Sequence, residues 1–341
     1  MNQSRLYEKV AQSLKSKFFL FDEIKEPDDI KLFEQFDTQI GKLKIHWAQA
    51  GPPDGEASKG KTIILIHGWT NNWQGWIPVA KLLTDHYRVV MVDLPGYGDS
   101  LAPKPEYTAV APAPLYNLVR IYKLNAKYNT SHYTLEKQAD WLADFCHHER
   151  IKPIAVIGMS MGTFVASVFA QRHPDLAKSV ILIGPVLKTS HSPRLAQAFQ
   201  KTLELVNGHQ FGENLVKQLV SRRLYAYLVA KYINMYRFNR FLIDAYGLIG
   251  KQKMTKEAFI QMGISAGKCS IEDTLAGIKS PLLLIWGKAD KLTNPQIGQA
   301  ILKNKGIKFD QVVIPQAGHI VNLEKPKAVA EAIKKFLSLR E

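Results

Sequence analysis

The chain has 341 residues, 46% hydrophobic and 22% charged, with a mean hydropathy of −0.14. That excludes a charge-rich disordered chain and leaves room for one large domain or one domain carrying an insertion. The 45 Lys and Arg against 30 Asp and Glu give a net charge of +15, which bears on acidic or anionic partners rather than on fold.

Leu6, Val10 and Leu14 recur at helical spacing among charges, so 1–36 is expected to be an amphipathic N-terminal helical extension. Phe18-Phe19-Leu20-Phe21 runs straight into Asp22-Glu23, too short for the apolar region of a secretory signal. No run of about 18 uncharged apolar residues is long enough for a spanning helix. Cys146 and Cys269 lack metal-ligand spacing and read as two reduced thiols, so a cytoplasmic location, with peripheral membrane contact as a variant of it, is expected.

Lys42 to Ala50 alternates as an early strand. Short β-branched runs follow, each closed by turn residues: Thr62–Ile66, Tyr87–Val92, Ile154–Ile157, Ser179–Ile183, Leu282–Trp286 and Gln311–Ile314. They are continuously apolar rather than alternating, as strands covered on both faces must be. Helical patterns lie between them at Trp76–Leu83, Leu135–His147, Met161–Arg172 and Lys325–Leu339. The expected fold is an α/β doubly wound, mostly parallel sheet. From 185 to 279 the pattern is wholly helical, predicting a cap or lid inserted into a core made of 37–184 and 280–341. The Pro- and Tyr-rich stretch from Ala102 to Tyr133 breaks the rhythm, with a short helix expected over Leu115–Tyr122.

Gly158-Met159-Ser160-Met161-Gly162 follows a buried strand and opens a helix, the setting of a G-x-S-x-G elbow. Such a tight turn strains the serine backbone, and side chains two residues either way would collide with neighbouring chain. The turn lifts the Ser160 hydroxyl to a helix N-terminus, where developing negative charge is favoured. A serine needs a base, and the base an orienting acid. Asp290 and His319 each lie just beyond the carboxyl end of a strand, where open α/β sheets gather their ligand sites. His67-Gly68-Trp69 follows the first strong strand. Gly68 lets the backbone approach a bound carbonyl, and the N–H groups of Trp69 and Met161 are candidate oxyanion donors. His67 and Asp93 are expected to hold their turns by hydrogen bonds rather than to react.

His67-Gly68-Trp69, the turn from Asp93 to Ser100, Gly158–Gly162, Asp290 and Gly318-His319, in that order over roughly 40–340, resemble the α/β-hydrolase superfamily. The resemblance implies Ser160 as nucleophile, His319 as base, Asp290 as orienting acid, and no metal or organic cofactor. Relatives with an aspartate nucleophile, the epoxide hydrolases and haloalkane dehalogenases, are set aside by Ser160.

Between Val186 and Lys279 there are 14 Lys and Arg against 6 Asp and Glu, more than half of the chain's positive excess. Arg222–Ile249 interleaves these charges with Tyr and Phe. Such a surface suits an anionic lipid interface or an acidic carrier, or simply lines an apolar pocket with its aromatics. Nucleic acid is not expected as a partner, because no recognised module is present. The expected activity is hydrolysis of a small-molecule carboxylic ester with an apolar acyl group. Thioester hydrolysis on an acyl carrier or coenzyme A, and carbon–carbon bond hydrolysis, use the same residues; a non-catalytic binding protein would have lost one of them. Acyl and alcohol specificity and oligomeric state are not legible in the sequence.

Overall fold

The structure, a computed structural model, describes residues 26–52, 61–103, 107–108, 127–128, 133–187, 193–208 and 210–340. Its centre is an eight-stranded sheet: β1 (Glu34–Ile40), β2 (Leu43–Ala50), β3 (Thr62–Ile66), β4 (Arg88–Val92), β5 (Ala155–Met159), β6 (Val180–Ile183), β7 (Leu282–Gly287) and β8 (Asp310–Ile314). The spatial order is β1-β2-β4-β3-β5-β6-β7-β8. Only the β1–β2 and β2–β4 pairings are antiparallel; from β4 to β8 every pairing is parallel. β3, β5, β6 and β7 are buried at every position, which is why their sequences run apolar without alternation.

Helices cover both faces. α1 (Leu135–His148) and α2 (Met161–Arg172) pack on one, with Phe145, Val165 and Phe169 in a core that also holds Ile64, Leu182 and Trp286. The other core gathers Ile63, Leu65, Ile157, Ile181 and Leu283 against Trp73 and Trp76 and the C-terminal helix. Between β6 and β7 the chain is helical: α3 (Pro193–Val206), α4 (Gln210–Val220), α5 (Arg223–Val229), α6 (Arg240–Tyr246), α7 (Leu248–Lys253), α8 (Lys256–Lys268) and α9 (Ile271–Ala276). A single π-helical turn, Ala230–Asn234, follows α5. α10 (Pro295–Asn304) precedes β8, and α11 (Pro326–Ser338) ends the described chain.

The insertion rests on loops at the carboxyl ends of the strands. Thr255 donates to the Gly96 carbonyl after β4, and Ile320 after β8 donates to the Asn234 carbonyl. The Trp69 ring, after β3, stacks on Phe259 of α8 at 4.5 Å between centroids, and its Nε1 donates to the Phe259 carbonyl.

Three expectations need correction or fall outside the described residues. Residues 26–36 are not helical throughout: Asp28–Leu32 forms a 3-10 turn and β1 begins at Glu34, so sheet structure starts three residues before position 37. β1 is an edge strand exposed at most positions, and so carries no apolar signature. The expected helix Trp76–Leu83 is instead a 3-10 turn, Trp73–Trp76, and one short helical turn, Ile77–Ala80. All eight of these residues are buried, so neither an exposed face nor a periodicity marks their ends. Positions 1–25 and the expected helix Leu115–Tyr122 lie outside the described residues.

Candidate active site

β5 ends at Met159 and α2 begins at Met161, so Ser160 alone makes the turn between them, with φ +52° and ψ −116°. A non-glycine residue in that region is strained and holds only where its surroundings leave no alternative. Here the Ser160 N–H donates to the Ile183 carbonyl of β6, and its carbonyl accepts the Thr163 N–H. The two glycines are sterically required. A Cβ at Gly158 would lie 2.2 Å from the Gly162 carbonyl oxygen, and one at Gly162 would lie 2.4 Å from that of Ile66.

Ser160, a half-buried residue, meets His319 through its hydroxyl. His319 Nε2 is 2.8 Å from Ser160 Oγ, and His319 Nδ1 is 2.9 Å from Asp290 Oδ2. Residues separated by 159 and 29 positions thus form one continuous chain of carboxylate, imidazole and hydroxyl. The loops carrying the acid and the imidazole are tied together, since Lys288 N–H donates to the Ile314 carbonyl and Ala289 N–H to that of Ala317. Asp290 is further held by the Leu292 and Thr293 N–H groups, which donate to Oδ1 at 2.7 and 2.9 Å. Burial pushes its carboxyl pKa up, but the adjacent His319 imidazole and those two N–H groups outweigh burial and hold it below the usual range. The acid is therefore ionised at neutral pH, as a group that orients an imidazole must be.

The His67-Gly68-Trp69 turn comes close to the nucleophile: a Cβ at Gly68 would lie 3.3 Å from Ser160 Cβ. His67 is a strut. Its Nδ1 lies 2.8 Å from the Gly68 carbonyl, and its Nε2 accepts the Leu94 N–H at 3.1 Å. Accepting at Nε2 requires the neutral ring protonated on Nδ1. Burial in this apolar wall lowers the His67 pKa to about 4, against the pull of the Gly68 carbonyl. Asp93 is likewise internal, accepting the Trp73 N–H at 2.7 Å and the Asp99 N–H at 2.9 Å.

Sequence reasoning missed the residues that join the insertion to this site. Glu324 Oε2 accepts the Gly318 N–H at 2.6 Å while its Oε1 accepts those of Tyr236 and Arg237 at 2.8 and 3.3 Å. Lys291, next to Asp290, donates through Nζ to the Tyr232 carbonyl at 3.0 Å. An acid five positions after His319 and two before a helix-starting proline is the sole trace of this link in the sequence.

Among the described residues, one group of metal-ligand type, His46, Asp93 and Asp99, brings donor atoms within 4.8 Å of one another. Its members have other work: His46 Nδ1 pairs with Asp37, Asp99 with Lys253, and the Asp93 oxygens with backbone N–H groups. It is a structural knot under the turn from Asp93 to Ser100.

A family model described as alpha/beta hydrolase fold matches residues 61–326. An (E)-2-((N-methylformamido)methylene)succinate hydrolase of Acinetobacter baylyi is 24% identical over 291 residues, covering 83% of this chain and 92% of that protein. A monoacylglycerol lipase of Xenopus laevis is 22% identical over 310 residues, covering 88% and 81%. Among solved structures, a membrane phospholipase A superposes with a TM-score of 0.64 at 20% identity, over 99% of this chain and 98% of that one.

Proposed function

Since the chain belongs to the α/β-hydrolase family, we propose that it is a serine hydrolase of carboxylic esters with an apolar acyl group, with residues 185–279 as its lid. The observation that carries this reading is the unbroken hydrogen-bonded line from Asp290 through His319 to Ser160. The lipase among its relatives supports an ester as the bond attacked.

In this reading the Ser160 oxygen attacks the ester carbonyl carbon while its proton passes to His319 Nε2. Asp290, ionised and hydrogen-bonded at Nδ1, holds the ring with its Nε2 lone pair toward the hydroxyl and stabilises the imidazolium that forms. The carbonyl π pair moves onto oxygen, and the resulting oxyanion is received by the Trp69 and Met161 N–H groups at the head of α2. Collapse of the tetrahedral species expels the alcohol, which takes the proton from His319. Water then attacks the acyl-enzyme with the same base, releasing the carboxylic acid and restoring Ser160. The strain at Ser160 serves this cycle by fixing the hydroxyl where base and donors converge.

The test is a graded panel of p-nitrophenyl esters and matching thioesters, run with a fluorophosphonate probe. Ser160→Ala is expected to abolish both turnover and probe labelling while the fold persists by circular dichroism. Retained turnover overturns Ser160 as the nucleophile; turnover confined to thioesters overturns the ester assignment.

A further inference from the structure

Among the described residues, ten of the fifteen large apolar side chains that remain exposed fall between Leu205 and Phe241. That concentration is not the scatter expected of an ordinary surface, where single exposed apolar residues are common and extended patches mark contact sites. They also fall in rows. Leu215 and Leu219 are one turn apart on α4, and Leu224, Leu228 and Tyr232 continue at four-residue steps along α5 into the π-helical turn. Residues at that spacing share one face of a helix. Leu224 is 69% exposed, Tyr232 59%, and Phe241 at the start of α6 68%.

The charge on the same stretch is one-sided. Positions 205–246 hold six Lys and Arg and two acids, Glu213, which is buried against Lys256, and Asp244, which pairs with Arg223 and Arg240 at 3.3 Å and leaves the face net positive. The cations border the apolar rows instead of lying apart from them: Lys231 Nζ sits 5.3 Å from the Tyr232 ring centre, and the Arg237 guanidinium 5.8 Å from that of Tyr236. Apolar rows edged by cations and aromatics suit the boundary between acyl chains and headgroups.

From this we infer that the α4–α6 face, residues 205–246, is a docking surface for an anionic lipid bilayer. Charge decides between the candidate occupants. A second copy of the chain meeting this face about a two-fold axis would set like charge against like charge, which repels. An acidic protein would satisfy the cations but leave the leucine rows against a polar surface. An anionic bilayer matches both, with headgroups for the cations and acyl chains for Leu224, Leu228 and Phe241.

The position of the face gives docking a consequence. Tyr232 accepts a hydrogen bond from Lys291, the neighbour of Asp290, and Asn234 accepts one from Ile320, the neighbour of His319. A bilayer on this face therefore lies beside the loops that hold the acid and the base. Resting on the ester-hydrolase reading, this names a bilayer-resident ester as the substrate. Docking itself does not need the triad.

The test is co-sedimentation of the full chain with phosphatidylcholine vesicles, with and without phosphatidylglycerol, using both the wild type and Ser160→Ala. Both proteins are expected to bind the phosphatidylglycerol vesicles and to be released as salt shortens the screening length from about 10 Å toward about 3 Å. Lys231→Glu is expected to weaken that binding about thirtyfold, since it changes the charge by two units at about 1 kcal/mol per charge near an anionic surface. Leu224→Ser with Phe241→Ser should do the same by removing apolar contact, and both variants should hydrolyse a soluble short ester at the wild-type rate. Absence of vesicle binding, or equal binding with and without phosphatidylglycerol, overturns the inference. So does a dimer in size-exclusion chromatography that the Leu224 and Phe241 changes dissolve, which assigns the face to a second copy. Capture of an acyl carrier protein without vesicle binding overturns it in favour of an acidic protein. Failure of Ser160→Ala to lose esterase activity, with vesicle binding intact, counts against the catalytic reading alone.

Discussion

Glu324 holds Gly318, the residue before His319, through a 2.6 Å hydrogen bond from the Gly318 N–H to Oε2. Its other oxygen accepts the N–H groups of Tyr236 and Arg237, so one carboxylate fastens the imidazole loop to the insertion. Burial raises the Glu324 pKa, and the Gly318, Tyr236 and Arg237 N–H groups oppose that rise. Glu324 is thus a positioning residue, acting on His319 through the backbone.

Glu324→Gln keeps the shape but turns an N–H donor toward one of those backbone N–H groups. A displacement of the base by a fraction of an ångström is expected to lower kcat on the order of tenfold, given that about 1 Å of misplacement can cost roughly a hundredfold. KM for a small soluble ester should hardly move, and Glu324→Asp should recover part of the loss. Steady-state kinetics on p-nitrophenyl acetate check this. An equal loss in kcat and in thermal stability, with no recovery by Asp, would mark the residue as merely structural.

Asp290→Asn separates orientation from charge. An Asn oxygen can still accept the Leu292 and Thr293 N–H groups that now meet Oδ1, so the turn should survive. Its amide N–H would face His319 Nδ1 and favour the tautomer that carries its proton on Nε2. That ring cannot take the Ser160 proton. The expected loss is on the order of 10⁴ in kcat with the melting temperature nearly unchanged. A loss of less than about tenfold would remove Asp290 from the role proposed for it.

How much of this was legible in the sequence depended on burial. β3, β5, β6 and β7 were readable because a strand covered on both faces is apolar along its whole length, and the Gly158–Gly162 turn because its glycines answer to backbone oxygens just over 2 Å from where a Cβ would stand. Asp290 and His319 could be placed after β7 and β8, and the structure brings them within 2.9 Å of each other. β1 was not, because an exposed edge strand of sequence Glu34-Gln35-Phe36-Asp37-Thr38-Gln39-Ile40 has little to bury. α10 was not singled out either, although Asn294 caps it and Pro295 opens it, start signals that the sequence did carry. The Glu324 and Lys291 links join segments some 60 to 90 residues apart through backbone N–H and carbonyl groups, which carry no sequence signature.

Gly162→Ala tests the packing that fixes the nucleophile. The added methyl would meet the Ile66 and His67 carbonyl oxygens at 2.4 and 2.6 Å, both of them backbone, so no side chain can swing aside. Overpacking of this kind costs typically about 1–3 kcal/mol, and here the upper end is expected because β3 or α2 must move. Urea unfolding gives the number. Serine-probe labelling should slow as well, since α2 carries the Met161 N–H. A variant as stable and as reactive as the wild type would show that the contact relaxes at no cost.

His67 gives a pH dependence whose sign follows from its hydrogen bonds. Folded, it is neutral, with Nε2 accepting the Leu94 N–H, and its pKa is depressed by burial to about 4. Unfolded, it returns to about 6.5. Between those values the unfolded chain takes up a proton that the folded chain refuses, so stability falls as pH falls. The slope is about 1.4 kcal/mol per pH unit, reaching about 3 kcal/mol by pH 4. His67→Gln retains a side-chain acceptor for Leu94 and cannot titrate. It should be less stable than the wild type at pH 7, with the gap closing as pH drops from about 6.5 toward about 4. Paired urea titrations across that range measure the gap; a constant difference would mean that the ring takes up its proton in the folded state, at the expense of the Leu94 bond.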